Sequence, residues 1–198
     1  MTGMMTAGFS DPVHQSQAAF RGLLSALSEP GTIRTLSEAV APPQGLCTAA
    51  ATALLTLADY ETPIWLPERL RDGEAGAWLR FHCGATLVSE PAEAVFAVLA
   101  AEAGEPALAS FAAGTDLFPD RSATVIVQCS ALEGGEPVRL SGPGIATERG
   151  IAPAGLRPGF WREFATNAEL YPLGIDIVLA CGDAVIGLPR STQVTEAR

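Results

Sequence analysis

The sequence predicts an α/β fold in which a mixed β-sheet is covered by helices on both faces, a three-layer α/β/α sandwich. Two observations favour it. Helical segments alternate with short strands along much of the chain, and strands that read as hairpins gather toward the C-terminus. The 198 residues, 48% of them hydrophobic and 17% charged, suit a single domain over residues 1–198 with a sizeable buried core.

The first third of the chain contains the clearest helix. Asp11 reads as an N-cap, and apolar residues then recur at helical spacing to about Ser28. Pro30 and Gly31 end this helix, because proline cannot continue it and the pair suits a type II turn. The segments that follow are a short strand over 32–36, an almost wholly apolar and therefore buried helix over 46–58, and a short strand over 63–66.

The middle of the chain is less regular. Residues 67–79 are polar and interrupted by glycine, which is typical of one loose helix. Residues 92–101 fit either a buried strand or a helix, and we favour a strand after a turn at Pro91. Residues 106–112 are predicted to form a helix that ends at Gly114.

The C-terminal half contains the clearest strand pattern. The β-branched run 123–129 predicts a strand, and the glycine turn at 133–136 predicts that 137–140 returns beside it, antiparallel. Further elements are expected as a helix over 159–170, a strand over 174–180, a tight turn at Gly182-Asp183, a return strand over 184–188 and a tail over 189–198.

A glycine–proline loop after residues 137–140 is the first candidate site. Gly142 and Gly144 can adopt positive φ or let another backbone come close, and Pro143 fixes its own φ. Successive N–H groups in such a loop, beside Ser141, can form a concave site for a phosphate or phosphonate. A rigid turn that closes a sheet edge, or a loop that docks a partner, explains the same residues.

Charge and residue counts exclude several classes of function. The net charge of −10 disfavours nonspecific binding to nucleic acid or to an anionic membrane. The twelve lysine-plus-arginine residues are all arginines, so no lysine can form a Schiff base with pyridoxal phosphate or serve a Walker-A loop. Any phosphate contact therefore has to come from arginine, hydroxyls or backbone N–H groups. No apolar run approaches the ~18 residues that cross a bilayer.

Cysteine and histidine usage predicts neither a metal site nor another cofactor site. The four cysteines are far apart, with no Cys-x-x-Cys pair, and are expected to be reduced, mostly buried thiols. The two histidines, His14 and His82, lack the ligand spacing of a metal site. Residues 1–10 have no basic n-region and no apolar h-region, and we therefore expect a cytoplasmic protein.

Polar residues near His82 form the second candidate site. Asp59 or Glu61, with Arg80 nearby, could carry out acid–base chemistry with His82 in a self-contained transferase or hydrolase. The same carboxylates could equally cap the second helix and turn the chain. If His82 and Cys83 lie on a strand, their side chains face opposite ways, so these two neighbours do not form a nucleophile pair.

Arginines at strand ends or in loops offer a third route to anion binding. Arg34, Arg139, Arg149 and Arg190 can each bind an anion in bidentate fashion, although solvated surface arginine is the simpler explanation. This shortage of reactive groups fits a subunit completed by partners or a nucleotide-sensing regulatory module. No catalytic residue is assigned, and the candidate ligand contacts are Ser141, Gly142, Gly144, Arg80, His82 and Arg190.

Several stretches of the chain match a family pattern in their order along the sequence. Residues 59–66 read DYETPIWL, residues 114–124 read GTDLFPDRSAT and residues 140–145 read LSGPGI. Together with residues 17–21, 27–31, 79–85, 171–176 and 188–192, they resemble the H-subunit (PhnH) family of the bacterial carbon–phosphorus lyase system, which takes part in phosphonate breakdown. One departure is Cys83, where the family pattern suggests a small hydroxyl residue, and this argues against an essential role for the thiol.

The resemblance implies a fold related to the pyridoxal-phosphate transferases that has lost the cofactor. It also implies a homodimer that assembles with the G, I and J subunits into a core complex. With subunits G, I and L, the family is assigned to the step in which a phosphonate replaces adenine on ATP, giving a ribose 1-phosphonate 5-triphosphate. On this basis we expect an accessory subunit that shares a phosphonate or ATP ligand with its partners.

Overall fold

The computed structural model describes residues 6–36, 38, 40–100 and 104–196. The helices are α1 (Pro12–Ser28), α2 (Thr48–Leu57), α3 (Glu68–Arg71), α4 (Glu74–Cys83) and α5 (Phe160–Glu169). The strands are β1 (Ile33–Thr35), β2 (Ile64–Trp65), β3 (Leu87–Val88), β4 (Phe96–Leu99), β5 (Thr124–Gln128), β6 (Val138–Ser141), β7 (Arg149–Ile151), β8 (Asp176–Cys181), β9 (Ala184–Leu188) and β10 (Gln193–Glu196).

The main sheet is mixed and has seven strands in the order β1-β9-β8-β5-β4-β2-β3. Its central pairs, from β3 across to β8, are parallel, while β9 runs antiparallel to both of its neighbours. The turn at Gly182-Asp183 joins β8 to β9, as the sequence predicts. The α/β class and the mixed sheet are therefore confirmed.

The two faces of this sheet carry different covers. On one face, α1, α2 and α4 pack over buried side chains such as Ile126 and Val178. On the other face, Phe160 and Phe164 of α5 pack over β5 and β8, together with Leu140 of β6. The second covering layer thus combines one helix with a small β-sheet, whereas the prediction had helices on both faces.

That small sheet corrects two expectations. Strand β6 pairs antiparallel with β7 and β10, and not with β5 as predicted, because both edges of β5 are occupied by β4 and β8. The predicted tail over 189–198 contains β10, which pairs with β6. Residues 197 and 198 of that tail lie outside the described residues.

The irregular middle of the chain also differs in part. The strand after the turn at Pro91 is confirmed as β4, and residue 101 lies outside the described residues. The helix predicted over 106–112 is wrong: only a 3-10 turn forms, and the N–H of Leu108 donates instead to Glu163 of α5 at 2.7 Å. The single loose helix over 67–79 is two helices, α3 and α4, and the second extends to Cys83.

The first two predicted helices are confirmed. The carboxylate of Asp11 accepts a hydrogen bond from the N–H of His14 at 3.3 Å, and α1 ends at Ser28, before Gly31 with its φ of 79°. In α2, every residue from 49 to 54 is buried. Within the described part of the chain, no helix is both long and apolar enough to cross a bilayer.

Candidate functional site

The glycine–proline loop after β6 lies against two other segments of backbone. A Cβ on Gly142, whose φ is 127°, would stand 2.8 Å from the carbonyl oxygen of Ser191. A Cβ on Gly144, whose φ is 82°, would collide with the carbonyl oxygen of Ser28 at the end of α1. Both positions therefore need glycine for positive φ and for close approach of backbone, whether or not a ligand binds there.

The polar groups nearest this loop are enclosed by protein. Ser141 ends β6 opposite Gln193 and is half-buried. Thr192, the residue before Gln193, is fully buried, and its Oγ1 has no hydrogen-bond partner within the described residues. Its Cα would stand 3.5 Å from a Cβ on Gly142. The loop thus abuts the interior where the small sheet meets the end of β9.

Arg190 holds three segments together at the amino end of the parallel strands. Its Nε and Nη2 donate to the carboxylate of Asp176 at 3.1 and 2.6 Å, and its Nη1 donates to the carbonyl of Pro119 at 2.7 Å. Nη2 also contacts the hydroxyl of Ser122. The arginine side chain is only 15% exposed. Internal acceptors engage all three guanidinium nitrogens. The contacts of Arg190 therefore indicate a structural role and not an anion-binding one.

His82 lies on α4, where it contacts the N-terminal segment of the chain. Its Nε2 lies 3.0 Å from the carbonyl oxygen of Thr6, which also accepts a hydrogen bond from the indole N–H of Trp78 at 2.8 Å. The imidazole packs against the rings of Trp78 and Phe81, each with centroids 4.9 Å away. His82 and Cys83 do not lie on a strand but in the last turn of a helix, so the argument that strand neighbours face opposite ways does not apply to them.

The carboxylate proposed as a partner for His82 closes a turn instead. Asp59 Oδ1 accepts from the N–H of Glu61 at 2.9 Å and from the hydroxyl of Thr62 at 3.2 Å, just after α2 ends. This is the turn that the sequence offered as the alternative. The bonds made by Asp59 and His82 go to different segments, so a self-contained hydrolase built on this pair is not favoured.

The six candidate ligand contacts fall into two groups. Arg80 and His82 lie on α4, which packs on the helical face of the main sheet. The other group lies beside the small sheet, whose Leu140 belongs to the core of the opposite face. Arg80 Nη1 has a long contact, 3.5 Å, with the carbonyl of Arg71. Within the small-sheet group, Ser141, Gly142 and Gly144 belong to one loop, and Gly142 approaches the carbonyl of Ser191, the neighbour of Arg190. The guanidinium of Arg190 binds Asp176 and the carbonyl of Pro119, so the structure does not bring it to this loop.

Two further arginines singled out in the sequence bind their own chain. The guanidinium of Arg149, on β7, donates to the carbonyl of Pro30 and to the hydroxyl of Thr32, both at 2.6 Å, and to the carbonyl of Glu29 at 3.2 Å. It thereby fastens the small sheet to the turn after α1. Arg34 pairs with the carboxylate of Glu29 at 2.7 Å. Each of these guanidinium groups therefore has one nitrogen engaged by an internal acceptor.

A groove of about 840 Å³ lies between the edge of the main sheet and the small sheet. Arg139 and Glu148, whose side chains pair at 2.9 Å and are each 56% exposed, form part of its wall. No sequence pattern indicated this groove, because it depends on β6 pairing within the small sheet and not with β5. Its lining comprises Gly31, Ile33, Leu132, Glu133, Gly134, Pro137, Val138, Arg139, Glu148, Gly150, Ile151, Ala152 and Ile186.

The cysteines are free, half-buried thiols. Burial raises the pKa of Cys129 to about 12, with smaller contributions from the neighbouring Cys181 and Cys47. Burial likewise raises the pKa of Cys83 to about 11, helped by the charge of Asp59. A thiol that stays protonated near neutral pH is a poor nucleophile, so Cys83 and Cys129 are not suited to covalent catalysis.

Arg157 and Glu163 form an ion pair that the sequence analysis missed. Nη1 and Nη2 of the arginine each donate to one carboxylate oxygen at 2.6 Å, and the N–H of Leu108 adds a third bond at 2.7 Å. Burial by itself would raise the pKa of Glu163, but the bonds from Arg157 and Leu108 and the arginine charge together lower it. The pair joins the start of α5 to the segment after β4. The hydrogen bonds of this pair are therefore structural.

The described residues do not contain a nucleophile activated by a base, and no three of their His, Cys, Asp and Glu side chains are grouped to hold a metal ion. The described residues form a framework with a wide groove, several arginines bonded within the chain, and a loop in which two positions require glycine.

The chain matches the family model described as "Bacterial phosphonate metabolism protein (PhnH)" over residues 7–195. It is 42% identical over 189 residues to a protein of Rhizobium meliloti (strain 1021) named "Alpha-D-ribose 1-methylphosphonate 5-triphosphate synthase subunit PhnH". That match covers 96% of this chain and 94% of the relative. It is also 29% identical over 180 residues to a "Putative C-P lyase subunit protein HtxG" of Stutzerimonas stutzeri, covering 91% of this chain and 86% of that protein.

Proposed function

The chain belongs to the PhnH family of bacterial phosphonate metabolism proteins, and we propose on that basis that it is a subunit of an α-D-ribose 1-methylphosphonate 5-triphosphate synthase in a carbon–phosphorus lyase system. The observation that carries the proposal is the 42% identity to a named subunit of this synthase across 96% of the chain. A match of that length leaves no large part of the chain to supply a different function.

The reaction proposed for the assembly exchanges the group on the anomeric carbon of ATP. The bond from that carbon to adenine breaks, a phosphonate oxygen bonds to the same carbon, and adenine leaves while the triphosphate stays on the ribose. The chain has no lysine and, in its described part, no activated nucleophile, so we propose that it contributes structure and one wall of a shared site. This keeps the accessory role expected from the sequence.

We propose the G, I and J subunits as partners in a core complex and a second copy of this chain as a partner in the free state. Support comes from the names of both relatives, each of which is a subunit of a larger assembly. Phosphonate and ATP are proposed as ligands of the assembly. Their small-sheet contacts would be Ser141, Gly142, Gly144 and Arg190, with Arg80 and His82 on α4 as the separate pair.

Reconstitution tests the proposal. The purified chain is combined with the G, I and L subunits, ATP and methylphosphonate, and both adenine release and the ribose 1-methylphosphonate 5-triphosphate product are measured by mass spectrometry. We expect product from the full set, none from the chain alone, and loss of product when the chain is left out. Adding the chain back should restore the activity.

Two results would overturn this function. One is full product formation by the partner subunits without the chain, and the other is release of adenine by the chain alone. His82→Ala serves as the control for the less favoured hydrolase hypothesis. Unchanged product yield from this variant, provided that it folds as judged by circular dichroism, would leave the hydrolase hypothesis without support.

Three further expectations belong to the same proposal. Kinship with the pyridoxal-phosphate transferase fold is supported by the mixed α/β sheet, and the absence of lysine fits a chain that no longer holds the cofactor. The continuous family match over residues 7–195 supports one domain over 1–198. Four free thiols support a reducing, cytoplasmic location.

A further inference from the structure

Two cysteines that are far apart in sequence meet at one end of the main sheet. Strands β5 and β8 pair in parallel, and the last pair in register is Gln128 with Ala180. The next position along each strand therefore sets Cys129 opposite Cys181. The N–H of Cys129 donates to the carbonyl of Ala180 at 2.9 Å, which extends this pairing past the end of β5. Both thiols thus lie at the carboxyl ends of neighbouring parallel strands.

The two side chains lie on the same face of the sheet. Alternate residues of a strand point to the same face, and the residues two positions before the cysteines, Val127 and Leu179, belong to the core beneath α5. Cys129 and Cys181 pack against that same core. Cys47, whose N–H donates to the side chain of the residue before Cys129 at 2.5 Å, packs instead against the core of the other face. Cys129 therefore shares its face with Cys181 and not with Cys47.

The spacing of this pair suits a disulfide. Opposite residues on neighbouring strands have Cα atoms about 5 Å apart, within the range of about 4.4–6.8 Å that a disulfide spans. The thiol of Cys181 donates to the carbonyl of Ser130 at 3.4 Å, so its sulfur lies against the chain segment that carries Cys129. Burial raises the pKa of Cys129 most, and the neighbouring Cys181 and Cys47 raise it further, as expected for thiols that lie close together.

We propose that Cys129 and Cys181 form a redox-active pair, which hydrogen peroxide converts to a disulfide. Burial keeps Cys129 protonated near neutral pH, so the first step belongs to Cys181. Its thiolate attacks the peroxide, the O–O bond breaks, and a sulfenic acid and one water form. The Cys129 thiolate then attacks this sulfur, the S–O bond breaks, and the oxygen leaves as a second water. In total, two thiols lose two electrons and two protons, and one peroxide becomes two waters.

The disulfide closes a loop that contains most of the layer over the second face. Residues 129–181 include β6, β7 and α5, and this layer also forms much of the wall of the groove. A cross-link that closes about 50 residues restricts the unfolded chain, and we expect it to raise the melting temperature by about 5–10 °C. Oxidation should therefore stabilise the face of the sheet that carries the groove.

Peptide mapping tests the pairing directly. The native chain is treated with hydrogen peroxide at about pH 9, where more of the Cys129 thiol is ionised, and the remaining thiols are alkylated in urea. Because the chain has no lysine, trypsin cuts only after arginine and leaves each cysteine in a different peptide: 35–69, 81–121, 122–139 and 163–190. We expect 122–139 joined to 163–190, the other two peptides alkylated, and release of the pair by dithiothreitol. A chain oxidised in urea is the control and should give mixed pairings.

Thermal melting followed by circular dichroism measures the effect of the bond. Peroxide should raise the melting temperature of the wild-type chain as stated above, and dithiothreitol should reverse the shift. Cys181→Ala should melt at the same temperature before and after peroxide treatment. Cys83→Ala is the matched control, because Cys83 is also a half-buried free thiol but lies on α4, and this variant should keep the shift.

Three results would overturn the redox pair. One is recovery of peptide 122–139 in alkylated form from the native chain after peroxide treatment. Another is a link from either cysteine to peptide 35–69, which carries Cys47. The third is a folded Cys181→Ala chain that keeps the melting shift. All of these measurements use the isolated chain, so they are independent of the synthase function proposed above.

Discussion

Arginine is the only strongly basic side chain available to this protein, and the fold uses much of it internally. Arg149, Arg157 and Arg190 all donate to carbonyls or carboxylates of their own chain. Each joins segments distant in sequence. Arg149 joins the small sheet to the turn after α1, Arg157 joins the start of α5 to the segment after β4, and Arg190 joins the end of β9 to the loop before β5. A phosphate group of a shared ligand would therefore have to compete with internal acceptors to bind any of these three arginines.

Replacing Arg190 by leucine should destabilise the fold by about 3 kcal/mol, because it leaves the mostly buried carboxylate of Asp176 without its partner. Urea unfolding followed by circular dichroism measures the change. Arg139→Leu is the control, since its ion pair with Glu148 is more than half exposed and is worth less than about 1 kcal/mol. Equal losses in the two variants would mean that Arg190 is not a structural clasp.

Alanine substitutions at three glycines should distinguish the cost of a positive φ from the cost of a steric collision. Gly144→Ala should cost about 3 kcal/mol or more, because a Cβ there meets both positive φ and the carbonyl of Ser28. Gly134 has a φ of 85° but open space, so its alanine variant should cost only about 1 kcal/mol. Gly150, with open space and no positive φ, should tolerate alanine. The free energy of unfolding of each variant, measured in urea, is expected to follow this order.

At the scale of elements, α5 is the element that ties the second face together. Phe160 and Phe164 pack over the main sheet, and Glu163, on another side of the same turn, binds Arg157 and the backbone of Leu108. The segment 106–112 is held by this outward bond instead of forming its own helix. The stability of that region should therefore depend on the charge of Glu163.

The pKa of Glu163 is lowered in the folded chain from its ordinary 4.5, so its contribution to stability is present above that pH and is lost as the pH falls through the folded value. We expect Glu163→Gln to be less stable than wild type by about 1–2 kcal/mol at pH 7. The difference should shrink below pH 4.5. Urea titrations at pH 7 and pH 3 measure it. Glu169→Gln, exposed on the same helix, should show no such convergence.

Local patterns predicted the elements well where local chemistry decides them. Helix α1 with its Asp11 cap, the β-branched strand β5 and the hairpin of β8 and β9 follow from caps, branching and turns. The strand with which β6 pairs could not be predicted from such local patterns. A glycine turn predicts that the chain reverses, but pairing depended on β4 and β8, which occupy both edges of β5 from positions distant in sequence.

At the scale of the whole molecule, the candidate site was harder to predict than the fold. The sequence selected Arg80 and His82 together with the glycine–proline loop, yet the two groups belong to opposite faces of the main sheet. The groove between the sheets was not anticipated either. The groove depends on where β6 pairs. The exposure of Phe20 and Leu24 depends on how α1 rotates against its neighbours, and a helical period alone does not fix that rotation.

The carbonyl oxygen of Thr6, which accepts from both the Trp78 indole and the His82 ring, has a practical consequence for purifying the assembly. The described chain therefore begins at Thr6 against α4, on the helical face of the main sheet, whereas the groove lies beside the small sheet. An N-terminal affinity tag should leave the groove open to partner subunits during pull-down. A bulky fusion that displaces Thr6 from α4 should change the fluorescence of Trp78, whose indole donates to the Thr6 carbonyl.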